Sequence, residues 1–210
     1  MIRLWTRLVF VLVWLSLWES AETRRTRYKP APPQKPKQTE KDKAIEKLAP
    51  GQNININQMS GKWHLISVAS RCKSLIQKGF KLESTTINLN VNGDKVSIST
   101  ITKLNYECWE IKQNFKTTKT PGHLLLNGRT PSENVDIFVV DTDYSSYAVL
   151  VFKKAGKITI KLYGRKGIVP DKVLDAFEDR AKTFDLGLDL VFQFPHYGFC
   201  ESVDKVLEMP

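Results

Sequence analysis

The sequence predicts an all-β fold, an eight-stranded antiparallel up-and-down barrel followed by one C-terminal α-helix. Three observations carry this: short apolar-polar alternations at even spacing from residue 62 to 164, turn residues between them, and a single switch to helical period after Pro170. Closing such strands into a barrel removes exposed sheet edges, and eight strands leave an interior just wide enough for side chains or one small ligand. A sandwich with the same strand count is the competing architecture.

The first strand runs from Trp63 to about Ala69. In the second, Ile87, Leu89 and Val91 alternate with Asn88 and Asn90, and Asn92-Gly93 leads into the third, Val96 to Ile101. Asn-Gly between alternating runs predicts a type I′ hairpin, which needs φ > 0 at both central residues. The fourth strand spans about Cys108 to Phe115, and after Pro121-Gly122 comes the fifth, Leu124 to Leu126. Val135 to Val140, Tyr147 to Phe152 and Ile158 to Tyr163 complete the set, the last two joined at Ala155-Gly156. Val173, Phe177, Ala181 and Phe184 fall near helical spacing between Pro170 and Gly187, and a short extended piece follows near Val191 to Phe194.

Three segments precede or contain this pattern. Residues 1–21 have the layout of an export signal: Arg3 and Arg7, then the apolar run Leu8 to Trp18, too short to span a bilayer, then Ser20 and Ala21. Residues 22–50 hold nine basic residues against four acidic ones, are rich in Pro and Gln, and have almost nothing to bury, so they read as a disordered arm. Residues 51–210 are the folded domain, long enough for one sizeable core. The net charge of +10 on 210 residues is therefore concentrated in the arm. An exported chain without a nucleic-acid-binding motif argues against a nucleic-acid partner, and no later stretch is long and apolar enough for a membrane anchor.

Three cysteines, Cys72, Cys108 and Cys200, allow one internal disulfide and leave an odd thiol, and parity alone permits three pairings. His64, His123 and His196 fall on separate elements without metal-ligand spacing, so neither a metal nor another cofactor is implied. Paired carboxylates, a nucleophile elbow and a phosphate loop are all missing, which favours binding over catalysis. No Asn-x-Ser/Thr acceptor occurs.

At three separated places the chain resembles the lipocalins: Gly61-Lys62-Trp63 on the opening strand, Thr142-Asp143-Tyr144 ahead of the seventh strand, and Arg165 closing the eighth. The resemblance implies that the Arg165 guanidinium stacks on the Trp63 indole and plugs one end of the barrel, a cation–π contact of about 0.5–2 kcal/mol. It also implies a Cys108–Cys200 disulfide that pins the tail to the barrel wall, leaving Cys72 spare at the open mouth between Arg71 and Lys73. Within the family, the stretches Ala69-Ser70-Arg71-Cys72, Thr142 to Leu150 and Phe194 to Glu201, together with the basic arm, are similar to a complement-associated branch. That likeness implies a secreted plasma protein, an accessory subunit of the terminal complement (membrane attack) complex. Its Cys72 would be disulfide-linked to the complement component eight alpha chain, with the beta chain in the same complex and no insertion of this chain into the membrane. The alternatives are a free plasma carrier or scavenger of small hydrophobic molecules, and an isomerase that uses the Cys72 thiolate.

By strand alternation and by the lipocalin pattern, Ile137, Val139, Leu150, Phe152, Thr159 and Tyr163 face inward, and Lys161 with them. These residues serve equally to fill the barrel or to line a ligand pocket. Lys161 differs, because an inward lysine needs a partner or an anionic ligand group.

Overall fold

The computed structural model describes residues 40–209. The export signal and residues 22–39 of the arm lie outside the described residues. Eight strands form the barrel: β1 (Gly61–Ser70), β2 (Thr85–Asn92), β3 (Lys95–Leu104), β4 (Glu107–Thr117), β5 (His123–Leu126), β6 (Val135–Thr142), β7 (Tyr147–Lys154) and β8 (Lys157–Gly164). Each pairs antiparallel with its successor, and β1 pairs with β8 to close the ring. The architecture is thus the closed barrel, not the sandwich.

Alternation along each strand separates two cores. Trp63, Leu65, Val68, Ile87, Leu89, Val96, Ile98, Phe115, Ile137, Val139, Leu150 and Tyr163 pack inside the barrel. Ile66, Phe138, Val140, Val149, Val151, Ile160 and Leu162 face outward and are covered by the amphipathic α3 (Asp171–Thr183) through Phe177 and Ala181. A register shift between Leu65 and Ser67 lets Leu65 and Val68 both point inward, and a second, between Val139 and Asp141, bends β6. Helix α3 begins after Pro170, which supplies a fixed φ and needs no amide hydrogen bond, and carries Arg180 and Lys182 in its last turn.

The structure departs from sequence expectation in four places. Residues 40–50 are not structureless: α1 (Glu40–Glu46) forms, and Ala44, Ile45 and Leu48 pack on the outer core. Three apolar residues at helical spacing suffice once a hydrophobic surface is available to receive them, which composition averaged over 22–50 conceals. The β2–β3 hairpin is not type I′: Asn92 pairs with Lys95 inside the ladder, so the central residues are Gly93 and Asp94, with only Gly93 left-handed (φ 61°). That is the glycine-first pattern of a type II′ turn. The long β1–β2 connection carries α2 (Lys73–Lys78); the expected extended piece after the helix, by contrast, forms as β9 (Val191–Gln193) and pairs with the second half of β1. Finally, β10 (Lys205–Glu208) pairs in parallel with Trp109 to Lys112 of β4. It is one of the rare parallel additions that sequence alternation cannot reveal.

Candidate functional site

At one end of the barrel the Gly61, Trp63, Thr142, Asp143, Tyr144 and Arg165 side chains and backbone converge. The Arg165 guanidinium carbon lies 3.7 Å from the Trp63 ring centroid. Its Nε donates to the Tyr144 carbonyl (3.0 Å), Nη1 to Lys62 (3.2 Å) and Nη2 to Gln58 (3.1 Å). Trp63 is fully buried and donates its indole N–H to the Met59 carbonyl at 2.7 Å, so no polar atom of the plug lacks a partner. Gly61 adopts φ 101°, and a Cβ there would sit 3.1 Å from Arg165 Nη1. Both facts require glycine. Burial holds the Arg165 guanidinium below its ordinary pKa.

The Thr142-Asp143-Tyr144 corner is a set of caps. Thr142 Oγ1 donates to the Tyr147 carbonyl (2.7 Å) and accepts from the Tyr144 amide (2.9 Å). Asp143 Oδ1 accepts from the amides of Ser145, Ser146 and Tyr147 at 2.7–3.1 Å, and Oδ2 accepts from the Ser146 hydroxyl. Partial burial raises the Asp143 pKa, but the Ser146 hydroxyl and the three amides outweigh it and hold the carboxyl below the usual range. Tyr144 takes a left-handed conformation (φ 63°), and its hydroxyl accepts the Asn55 amide at 3.0 Å.

The cysteines lie toward the end of the barrel away from Trp63, Cys108 beside the β3–β4 hairpin and Cys72 just past β1. Cys108, on β4, and Cys200 are joined in a disulfide with Cα atoms 5.8 Å apart. The bond anchors the segment that leads into β10, where Asp204 accepts the Cys108 amide at 2.7 Å.

Cys72 is a free, exposed cysteine, two residues past the end of β1 and so at the end of the barrel away from Trp63. Its amide donates to Ser70 Oγ (3.2 Å), and Ser70 Oγ in turn lies 2.9 Å from Thr159 Oγ1. Arg71 is fixed beside it by 2.6 Å contacts to the carboxylate and the carbonyl of Asp185. The Cys72 thiol contacts the Ser74 hydroxyl at 3.0 Å. That contact, then the Leu75 amide, lowers its pKa against the opposing effect of burial. A larger thiolate fraction makes it the more competent partner in disulfide exchange.

Ile137, Val139, Leu150 and Tyr163 belong to the inner core, with Phe152 packed against it. Lys161 faces inward between Val68 of β1 and Leu150 of β7, its Nζ 4.3 Å from the Phe152 centroid. Desolvation pulls its pKa down to about 8. The histidines stay apart: His64 lies edge-on to Phe199, His123 bonds Asp136 and stacks on Phe138, and His196 meets Tyr197. Sequence reasoning missed the carbonyls of Gln58, Lys62 and Tyr144 that receive Arg165, and the Ser70 and Ser74 hydroxyls that hold Cys72. Backbone acceptors and lone serines leave no pattern to read.

A closed eight-stranded barrel, plugged by an arginine on the tryptophan of its first strand and flanked by one helix, defines the class. The sequence model of the lipocalin / cytosolic fatty-acid binding protein family matches residues 60–197, and the chain belongs to this family. It is 38% identical over 162 residues to the complement component C8 gamma chain of Oryctolagus cuniculus, covering 77% of this chain and 80% of that one. It is 26% identical to protein AMBP of Bos taurus over 71% of this chain, but spans only 44% of that protein. Among solved structures, the siderocalin Ex-FABP superposes with a TM-score of 0.58 at 23% identity, covering 67% of this chain and 96% of that one, a likeness of fold alone.

Proposed function

We propose that this lipocalin is a secreted plasma protein and a disulfide-linked accessory subunit of the terminal complement complex. Cys72 joins the complement component eight alpha chain, and the beta chain belongs to the same complex. The observation that carries the reading is the free, exposed Cys72 thiol with its lowered pKa, on a chain 38% identical to a C8 gamma chain. Membrane insertion falls to the larger partner, and this chain binds rather than catalyses. Plasma-purified material run without and with reductant tests it. A covalent heterodimer that separates on reduction, with a Cys72 peptide cross-linked to the partner, is the expected result; Cys72 found free or internally paired overturns it. A Cys72→Ser variant should lose the covalent link and change folding stability by less than about 0.5 kcal/mol, as for an exposed side chain.

The similarity to AMBP favours a second reading, a free plasma carrier or scavenger of small hydrophobic molecules resembling alpha-1-microglobulin. It predicts a monomer on the same non-reducing gel and a bound hydrophobe on extraction.

A further inference from the structure

We propose that Thr120 is a modification site, the acceptor of an O-linked N-acetylhexosamine. This rests on the reading that the chain is secreted, and not on the Cys72 tether.

The sequence holds no Asn-x-Ser/Thr acceptor, so a sugar on this chain has to sit on a hydroxyl. Threonine beside proline is the composition of O-linked acceptors, and the proline has a backbone effect. It keeps the residue before it out of the helical region, in extended chain that presents its side chain to an enzyme. Two threonines among the described residues precede a proline, Thr120 and Thr130. Thr130 is engaged, its hydroxyl 3.0 Å from that of Ser132. The threonines just before Thr120 are engaged too: Thr117 Oγ1 donates to the Asp94 carbonyl (3.3 Å), and Thr118 Oγ1 donates to the Thr120 carbonyl (3.3 Å) while accepting the Thr120 amide (3.2 Å). The Thr120 hydroxyl itself makes no hydrogen bond among the described residues, and the residue is exposed. Of the threonines that proline marks, the fold leaves this hydroxyl free.

The turn around it presents that hydroxyl. The Thr120 carbonyl accepts the His123 amide at 3.1 Å across Pro121 and the left-handed Gly122 (φ 79°), the pattern of a type II turn with Thr120 at its first position. Beside the turn runs a groove of about 260 Å³ lined by Ile54, Asn55, Ile56, Thr118 and Pro121. Apolar side chains with one amide among them suit a pyranose ring, whose faces are apolar and whose rim is polar. The Asn55 backbone amide also bonds the Tyr144 hydroxyl, so the groove belongs to the plugged end and a glycan there leaves Cys72 clear.

In the transfer, Thr120 Oγ1 attacks the anomeric carbon of a nucleotide-activated N-acetylhexosamine held by a transferase of the secretory route. The bond from that carbon to Oγ1 forms as its bond to the β-phosphate oxygen breaks. The nucleoside diphosphate departs with the electron pair, and the hydroxyl proton passes to the leaving phosphate.

The test expresses the full chain in a secreting vertebrate cell line and maps the exported protein by peptide mass analysis with electron-transfer fragmentation, which keeps side-chain groups attached. The peptide spanning Thr120 should carry the mass of one N-acetylhexosamine or of a longer glycan built on it, and the shift should vanish in Thr120→Ala. That variant removes an exposed hydroxyl that bonds nothing in the fold, so it should be exported like the native chain. In the exported chain, a bare Thr120, a phosphate in place of the sugar, or a sugar on Thr117, Thr118 or Thr130 instead overturns the site and leaves the secreted reading standing. A chain retained inside the cells with Thr120 bare overturns both.

Discussion

The two ends of this barrel are built on opposite principles. At the plugged end, three backbone carbonyls, an indole face and a left-handed glycine converge on Arg165, and Asp143 closes the neighbouring corner with four hydrogen bonds. At the other, an exposed thiol stands between exposed Arg71 and Lys73, the ammonium of an inward lysine lies over the Phe152 ring, and the β3–β4 hairpin holds Asn105 and a fully exposed Tyr106 at positive φ. At the plug, Arg165, Trp63 and Asp143 have their polar atoms paired, although the neighbouring His64 Nδ1 is buried without a partner; the other end exposes its thiol and inward lysine where a partner or ligand could meet them. Left-handed non-glycine residues occur at both ends, Tyr144 held by hydrogen bonds at the plug and Asn105 and Tyr106 exposed at the other, so what separates the ends is how far such residues are tied down.

Breaking the plug should have the largest effect. Trp63→Ala removes a fully buried aromatic and the face on which Arg165 stacks, and should destabilise the fold by about 3–5 kcal/mol in a chemical denaturation series. Arg165→Met, which keeps bulk on the ring but leaves the carbonyls of Gln58, Lys62 and Tyr144 without their donor, should fall lower, at about 1–3 kcal/mol. If both cost less than about 1 kcal/mol, the plugged end is not the rigid half of the comparison.

Next comes the disulfide. The Cys108–Cys200 bond closes a 92-residue separation, and replacing both cysteines by alanine should cost about 2–4 kcal/mol. The loss sits below the chain-entropy ideal because β10 and the Asp204 contact restrain the tail independently. Hydrogen exchange should show the loss concentrated in residues 200–209, with the plug untouched.

The contrast between the ends also decides what was readable in the sequence. Period-two alternation marked β2 and β3, which bury one face in the barrel and expose the other, while β6, β7 and β8, buried on both faces, stood out as apolar runs bounded by turn residues. Gly61, Trp63 and Arg165 were legible as a set because their spacing resembles a family pattern, while the carbonyls they engage are backbone and carry no signature. Helix α1 was hidden by the charge around Ala44, Ile45 and Leu48, and its partner surface exists only after the barrel closes. Strand β10 was hidden because all four of its residues are exposed, so no alternation marks it. Lys161 could be placed on the inner face from alternation alone, but its want of a counter-ion is a fact of three dimensions.

Relieving strain at the far end should give a smaller effect of opposite sign. Asn105 and Tyr106, at φ 52° and 68° between the paired Leu104 and Glu107, form a two-residue loop of the I′ kind, whose second position favours glycine. Tyr106→Gly should stabilise the chain by up to about 1 kcal/mol, since a left-handed non-glycine residue costs about 1–2 kcal/mol and glycine returns part of that as unfolded-state entropy. A loss of stability instead would mean that the exposed ring packs on something, and that this end is less free than its geometry implies.

The smallest effect, and the one that separates the ends by pH, belongs to Asp143. Its folded-state pKa is depressed, so the stability it contributes is fully present above the unfolded value near about pH 4 and is lost as pH falls through the lower folded value. Asp143→Asn keeps an oxygen to accept the amides of Ser145, Ser146 and Tyr147 and should cost less than about 1 kcal/mol at pH 7. Between pH 5 and 3 the native chain should therefore lose more of its thermal midpoint than the variant, and the two curves should converge on the acid side. Parallel curves would place the acid sensitivity elsewhere and remove Asp143 from the rigid end. At the other end the sign is reversed: Lys161 has a folded pKa below that of a free lysine, so its protonation works against the empty fold, and raising the pH toward 9 should ease that penalty.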